Sequence, residues 1–421
     1  MKNSQNITDH DYALTPVASN AKKGYIAMFV IMVGFTFYTG TMLTGGNLGI
    51  SLSFKDLMTA LLIGNFILGV YTTLLAYISS KTSLSTHLLA RYAFGESGSY
   101  LVSGILGLTQ VGWFGVTVAM LAIPISKVIG VNVWIVILIS GALMVTTAYF
   151  GVKSLEILSI IAVPAIAVMG CYSSKLSLDS VGGFINLIDM NNTSTITLTT
   201  ALGLVIGSFI SGGTLTPDFT RFSKNPKVSV ISTVSAFFVG NLLMFGFGAI
   251  GAMTTGLADI SDVMIGQGLV VSGLVVLALN IWTTNDNTIY AASLAFSNIT
   301  KMPKKKLVII NGTIATLLSL ILYNNFTSFL SFLSGFIPSL GAVMIADYFF
   351  VSKKRYEEDF EKTSFEKINP LAVAAFLIGA ACSYLPGIGC LNAVISSMIS
   401  YTILMKCKNY AYAKVKNGTT V

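Results

Sequence analysis

The chain reads as an all-α polytopic membrane protein of about twelve transmembrane helices. Three observations predict this. Of its 421 residues, 54% are hydrophobic and only 10% are charged, against roughly 25% charged in an ordinary soluble chain. Mean hydropathy is +0.78. The apolar residues come in runs of about 18 to 30, the length a helix needs to cross a hydrocarbon core.

Charged residues punctuate these runs and set the spans in order. Span 1 (24–48) follows Lys22 and Lys23, and Lys55 separates it from span 2 (56–79). Lys81 and Arg91 precede span 3 (100–126), Lys127 precedes span 4 (132–150), and Lys153 precedes span 5 (154–173). Lys175 follows span 5 and leads to span 6 (197–216). Arg221, Lys224 and Lys227 lie before span 7 (228–254). Span 8 (265–297) comes next. Lys301, Lys304, Lys305 and Lys306 lead into span 9 (306–323). After span 10 (327–350), Lys353, Lys354, Arg355, Lys362 and Lys367 precede span 11 (369–386). Span 12 (388–406) ends at Lys406, with Lys408, Lys414 and Lys416 beyond it.

Alternating sides along this order puts 22 of the 25 Lys and Arg, Lys2 included, on the side of the N-terminus. Only Lys55, Lys127 and Lys175 fall on the other. Basic loops stay inside, so both termini are expected in the cytoplasm. One missed helix would scramble this asymmetry. The net charge of +8 is therefore topological, and no nucleic-acid partner is expected; the medium the chain meets is lipid. Residues 1–21 are polar and uncharacteristic of the start of a cleavable signal, and the first apolar run is too long for one. It is expected to remain as span 1. Cys171, Cys382, Cys390 and Cys407 lie in or at the ends of spans without metal spacing. With two histidines, neither in a span, and no nucleophile motif, no enzyme and no cofactor are expected.

Two Gly-rich interruptions are related by position. Span 1 holds VGFTFYTGTMLTGG (33–46) and span 6 holds IGSFISGGTLT (206–216), about 173 residues later. The same shift carries TQVGWFG (109–115) in span 3 onto WTTNDNT (282–288) in span 8. Glycines alone would only let helices pack closely. Matched interruptions in two halves point instead to the inverted repeats of a secondary transporter, with its site where paired helices are broken. The expected organisation is a tail (1–23), a first repeat (24–173), a second repeat (197–350), two further helices (369–406) and a second tail (407–421).

On span 8, Asn280, Thr283, Thr284 and Asn287 share one helical face at spacings i, i+3, i+4 and i+7. Neutral oxygens suit a hard monovalent cation, and an unwound span 1 near Gly34 and Phe37 would add backbone carbonyls. On span 3, Gln110 and Trp113 are neighbours at i, i+3. A buried amide offers a donor and an acceptor side by side, which matches the edge of a heterocycle, and the indole beside it offers a stacking face. Span 6 supplies Ser208, Phe209 and Ser211 at its expected break. Phe209 can close the second face of a planar ligand, and backbone groups freed there can read its edge. No Lys or Arg lies mid-span, so the simplest substrate is neutral, planar and polar-edged. Asp286 is the one carboxylate placed well inside the bilayer, where ionisable residues are functional by default. Three roles are open to it: a proton site, a partner for a hydroxyl or backbone group, or a support for the stripe.

Three stretches, LLARYAFGESGSYL (88–101), TQVGWFG (109–115) and TPDFTRFSK (216–224), resemble the first nucleobase:cation symporter family, on its cytosine-transporting side. The resemblance runs from span 1 to span 12. It implies the five-plus-five inverted-repeat fold of the leucine transporter and sodium-coupled cytosine uptake by alternating access, in a bacterial cytoplasmic membrane. It implies that Trp113 and Phe209 sandwich the base beside Gln110; Ser208, Ser211 and Asn280 are expected to border it. It implies a sodium site from the carbonyls of Gly34, Phe37 and Asn280 and the hydroxyls of Thr283 and Thr284. Hydantoin and allantoin relatives carry a tryptophan where Phe209 stands, which weighs against a hydantoin. A proton-coupled importer of another base or heterocycle (purine, allantoin, hydantoin or thiamine precursor) keeps the fold and is the alternative. A channel or receptor would show no gradient-driven accumulation.

Overall fold

A computed structural model describes residues 12–190, 193–353, 356 and 360–416. The outer parts of both expected tails, with Lys2, and the loop residues Lys354 and Arg355 lie outside the described residues. Span 1 is two helices, α1 (Tyr25–Thr36) and α2 (Thr39–Ser51), bent by 52°. Then come α3 (Phe54–Thr82), the short α4 (Thr86–Phe94), α5 (Gly98–Ile129), α6 (Val133–Tyr149) and α7 (Val152–Ser180). A short α8 (Phe184–Met190) precedes α9 (Leu198–Thr214) and α10 (Thr216–Thr220). Span 7 is α11 (Pro226–Ser235), a π turn (Ala236–Asn241) and α12 (Leu242–Thr255). The short α13 (Ile260–Gly266) leads to α14 (Val270–Thr300), α15 (Lys304–Asn324) and α16 (Phe326–Ala346), which ends in a second π turn (Asp347–Val351). Last are α17 (Pro370–Cys382) and α18 (Gly389–Lys416). The described residues contain no strand, only one isolated bridge between Lys23 and Ser223.

Each expected span carries a helix, and the boundaries move for local reasons. Side-chain caps fix several starts: Ser53 accepts from the Asp56 N–H, Thr197 from that of Thr200, and Asn225 from that of Val228, satisfying donors a helix start leaves free. Span 8 begins at Val270 rather than 265, because Gly268 takes a left-handed φ of 78° and separates α13 from α14. Pro124 and Pro164 sit inside α5 and α7 without ending them, as neighbouring helices in a bundle allow.

The core is organised around α14, on which every residue from Thr283 to Ala295 is buried. It packs on α5, α6, α7 and α15. On the other side, α2 lies against α12 at glycine distance. A Cβ at Gly248 would collide with the Met42 carbonyl, and one at Gly45 with the Phe245 carbonyl. Backbone cannot move aside as a side-chain tip can. Gly248→Val is thus expected to lower stability by about 1–3 kcal/mol or more, read as a fall in Tm in detergent. Gly246→Val, where nothing lies within 4 Å of the added carbon, is the control that stays near the parent.

Residues 12–24 run across one end of the bundle, here called the basal end. The Val17 N–H donates to the Ser83 carbonyl (3.0 Å), and the Lys23 N–H to that of Phe222 (2.6 Å). Lys22 Nζ reaches Ser83 Oγ (2.7 Å) and the Arg221 carbonyl (2.5 Å). Burial first, and then the nearby Arg221 cation, pull the Lys22 ammonium down to about 8. Lys23 pairs with Glu156 of α7 at 2.5 Å.

Candidate functional site

The break in span 1 creates the site. Phe37 leaves helical geometry (φ −77°, ψ 79°) and Tyr38 is extended (φ −121°, ψ 127°). A helix end leaves its last carbonyls without helical donors, and here they turn into the protein. Asn280 Nδ2 of α14 donates to the Phe37 carbonyl at 3.1 Å. Thr39 Oγ1, at the start of α2, donates to Asn280 Oδ1. One amide thus spans both sides of the break.

The break is held from behind by span 7. Thr36 Oγ1 donates to the Ala236 carbonyl (3.1 Å), and Asn65 Nδ2 of α3 to the Phe237 carbonyl (2.9 Å). Asn241 takes a bond from Thr41 (3.1 Å) and gives one to Asn65 (2.8 Å). A π turn frees backbone carbonyls from the regular ladder, and these are the carbonyls that Thr36 and Asn65 use. Gly240 leaves room for Thr36, whose hydroxyl an added Cβ would strike.

The structure places the stripe on α14 as follows. Asn280, Thr283, Thr284 and Asn287 are all buried. Thr283 Oγ1 donates to the Asn280 carbonyl (2.8 Å), and Asn287 Nδ2 to the Thr283 carbonyl (2.9 Å). Having given its proton to a carbonyl, the Thr283 hydroxyl presents lone pairs outward. Thr284 Oγ1 is buried and makes no hydrogen bond, which is costly unless something else binds it. Gly34 packs so tightly on Ser159 of α7 that a Cβ would overlap the serine hydroxyl. Phe37, Asn280 and Thr283 are thus joined by hydrogen bonds, with Thr284 next to them on the same face. The chemistry of this donor set, neutral oxygens only, fits a monovalent cation.

Beside the break is an aromatic cluster. Trp113 of α5 meets Tyr38 edge to face (centroids 5.5 Å, 89°), and Tyr38 meets Phe209 of α9 (6.1 Å, 67°). Phe209 is itself braced by Phe35 (5.0 Å) and Phe237 (5.4 Å). The ring of Tyr38 therefore meets both expected stacking partners edge to face. Gln110 is buried one turn before Trp113, and its Nε2 has no hydrogen-bond acceptor. Tyr38 Oη is likewise buried and unpaired. Unsatisfied buried polar groups converging on apolar rings are what a site for a polar-edged planar ligand requires.

The expected break in span 6 lies elsewhere. Ser208, Phe209 and Ser211 are inside α9, which continues through Gly212 and Gly213 to Thr214. The chain breaks at Leu215, just before the Pro217 turn of α10. The glycines serve packing: a Cβ at Gly213 would come within 2.8 Å of the Thr72 methyl. Pro217 has no N–H to return to the Gly213 carbonyl and its ring crowds that carbonyl, so α9 cannot run on through it and a new helix starts with the proline in its first turn. The backbone at 208–211 is consequently not free to read a ligand. The Ser208 hydroxyl donates to the Val205 carbonyl (2.9 Å) on a half-buried face, while Ser211 is buried.

Several residues escaped the reading of the sequence. Tyr38 and Thr39 follow the break directly, and a break at Phe37 was the signal that would have found them. Ser159 lies in a span read as plain apolar bulk. On the reverse of α14, Thr117 Oγ1 of α5 donates to Asn285 Oδ1 (2.5 Å), Thr147 Oγ1 of α6 donates to Asp286, and Trp282 Nε1 donates to Thr147 Oγ1 (2.8 Å). This supplies a hydroxyl partner for Asp286.

Comparisons with known proteins show the family and the fold. Cytosine permease of Escherichia coli (strain K12) is 51% identical over 397 residues, covering 94% of each chain. Mhp1, a nucleobase-cation-symport-1 family transporter solved in a closed conformation with bromovinylhydantoin bound, shares the fold at TM-score 0.80 and 19% identity, over 96% of each chain. A Na+-coupled sialic acid symporter shares it at TM-score 0.72 and 12% identity, over 96% of this chain and 92% of that one. The family profile described as permease for cytosine/purines, uracil, thiamine, allantoin matches residues 16–412. With a match over residues 16–412 and a 51%-identical permease covered over 94% of its length, the chain is a transporter rather than an enzyme and belongs to that permease family.

Proposed function

We propose that the chain imports cytosine by sodium-coupled symport through alternating access, across a bacterial cytoplasmic membrane with both termini inside. The observation that carries this reading is the Asn280 junction. Its amide bridges the broken span 1 while its carbonyl holds the Thr283 hydroxyl. A cation on the Phe37 and Asn280 carbonyls and the Thr283 and Thr284 hydroxyls, with Gly34 completing the set, would tighten the same break that shapes the aromatic slot. Among the described residues the Phe37 carbonyl accepts only from Asn280 and has a second lone pair for the ion, whereas the Asn280 carbonyl, which accepts within α14 and from Thr283, takes the ion in place of the Thr283 proton. Coupling then follows, because whichever ligand binds first orders a junction the other needs.

Cytosine as the substrate is supported by the name of the 51%-identical relative and by the slot itself. Trp113 and Phe209 offer faces, Gln110 an unpaired N–H for a ring nitrogen or carbonyl, and Ser211 a buried hydroxyl. Tyr38 touches both rings and must swing aside for a base to lie between them. Asn280 is committed to Phe37 and Thr39, so its part in binding the base is to hold the wall of the slot. The two expected repeats, 24–173 and 197–350, supply the broken helices of this core, and 369–406 flanks it.

The test is uptake of labelled cytosine into proteoliposomes with and without an inward sodium gradient, competed by uracil, adenine and hydantoin. Accumulation that requires sodium and is blocked by excess unlabelled cytosine is expected. Equal uptake in sodium-free buffer under a pH gradient would move the assignment to a proton-coupled importer.

A further inference from the structure

The reverse face of α14 carries a second polar group with no part in the slot. At 100° per residue, Trp282, Asn285 and Asp286 point almost opposite to Asn280, Thr283, Thr284 and Asn287. Asn285 and Asp286 are fully buried, and Trp282 is half-buried. All three are bonded to the neighbouring helices rather than to α1 or α9. Asn285 is joined to Thr117 of α5 at 2.5 Å, and its amide Nδ2 lies 3.1 Å from Met144 Sδ of α6. Trp282 and Asp286, one turn apart on α14, grip the same hydroxyl of α6: Thr147 Oγ1 accepts from the indole and donates to the carboxylate. The buried Lys304 at the start of α15 donates to the Ala148 carbonyl, next to Thr147 on α6 (3.4 Å).

A helix held at one point can rotate about its axis. A helix held by two side chains i and i+4 on one partner atom, and by a third on another helix, cannot. Here the held face and the cation-facing stripe are opposite sides of the same two turns. A rotation that relaxed the first would therefore carry Thr283 and Thr284 away from Phe37. Groups that orient metal ligands without touching the ion usually matter to affinity.

We propose that the Trp282–Thr147–Asp286 link is a rotational key for α14, and that Asp286 is a positioning residue for the sodium site. Its role is to accept the Thr147 hydrogen bond. It neither binds the ion nor carries a proton in the transport cycle. This inference rests on the sodium reading above. Asparagine keeps an oxygen acceptor at the same place, so Asp286→Asn preserves the key. Alanine removes it, and the Thr147 proton then turns to the Met144 carbonyl, 3.0 Å away. Thr147→Val removes the shared atom itself, and Thr147→Ser keeps it.

The experiment is the sodium dependence of cytosine uptake in proteoliposomes, with the cytosine KM measured separately at saturating sodium. Asp286→Ala and Thr147→Val are expected to raise the half-saturating sodium concentration about tenfold or more while leaving the cytosine KM at saturating sodium within about twofold. Asp286→Asn and Thr147→Ser are expected to restore the parent sodium curve. If Thr147→Val leaves the sodium curve unchanged, or if Asp286→Asn is as damaged as Asp286→Ala, the key is wrong. In the second case the carboxylate charge itself is what transport uses. The sodium reading fails separately, if the parent protein shows no sodium activation at all. Should Asp286→Ala not assemble, the Thr147→Val and Thr147→Ser pair decides alone, since neither alters a charge.

Discussion

Replacing Gln110 and Trp113 together by alanine is expected to abolish measurable cytosine binding while the protein still assembles. Trp113 contributes a stacking face, worth about 1–3 kcal/mol for a base on an aromatic ring. Gln110 contributes a hydrogen bond of about 0.5–1.5 kcal/mol net. At tenfold per 1.4 kcal/mol, the pair is worth roughly ten- to a thousandfold in Kd. Trp113 is also buried in the main core, so its truncation lowers stability as well, and the melting control reads that cost apart from the loss of binding. Gln110 Nε2 has no hydrogen-bond partner within the protein, so truncating it breaks no donated bond there. Trp113 rests against Tyr38, a ring that moves on binding. Labelled-cytosine binding to purified protein, with thermal melting as the assembly control, measures this. A Kd within twofold of the parent would place the base elsewhere.

How much of this was legible beforehand depended on the range of the interaction. Helices were readable because apolar length and charge punctuation are local, and each span carries a helix. The stripe Asn280–Thr283–Thr284–Asn287 was readable because one helix's periodicity fixes it. The break in span 6 was misplaced because glycine serves two ends, bending and close approach. Only the surroundings of Gly212 and Gly213 show that approach won and that Pro217 sets the break. Tyr38, Thr39 and Ser159 were missed because their importance comes from residues distant in sequence: Trp113, Asn280 and Gly34. Asp286 was conspicuous as a lone carboxylate, but its partner Thr147 is 139 positions away, and no spacing rule reaches that far. Unpaired atoms such as Gln110 Nε2 and Thr284 Oγ1 are properties of packing, invisible until every neighbour is placed.

Thr284→Val should raise stability without sodium and remove the stability that sodium confers. The Thr284 hydroxyl is buried and bonds to nothing in the protein, and such an orphan costs about 1–3 kcal/mol. Valine has nearly the same shape and no hydroxyl, so the sodium-free protein gains rather than loses. With sodium the sign reverses. A ligand at a hundred times its Kd adds about 2.7 kcal/mol to the folded state, and that gain disappears with the ligating oxygen. Thr283→Val differs in one respect: its hydroxyl donates to the Asn280 carbonyl, so its loss also frees that carbonyl at the junction. The double variant Thr283→Val, Thr284→Val is therefore expected to lose sodium activation of cytosine uptake altogether, a larger effect than either single change. Thermal melts of the parent and Thr284→Val, each with sodium and with choline as the replacement cation, separate the two effects. The parent should show a sodium-dependent rise in Tm, and Thr284→Val a higher sodium-free Tm with no further rise. A Thr284→Val protein that still gained the full sodium shift would remove this hydroxyl from the cation's shell. It would leave the buried oxygen as a packing cost with no function attached.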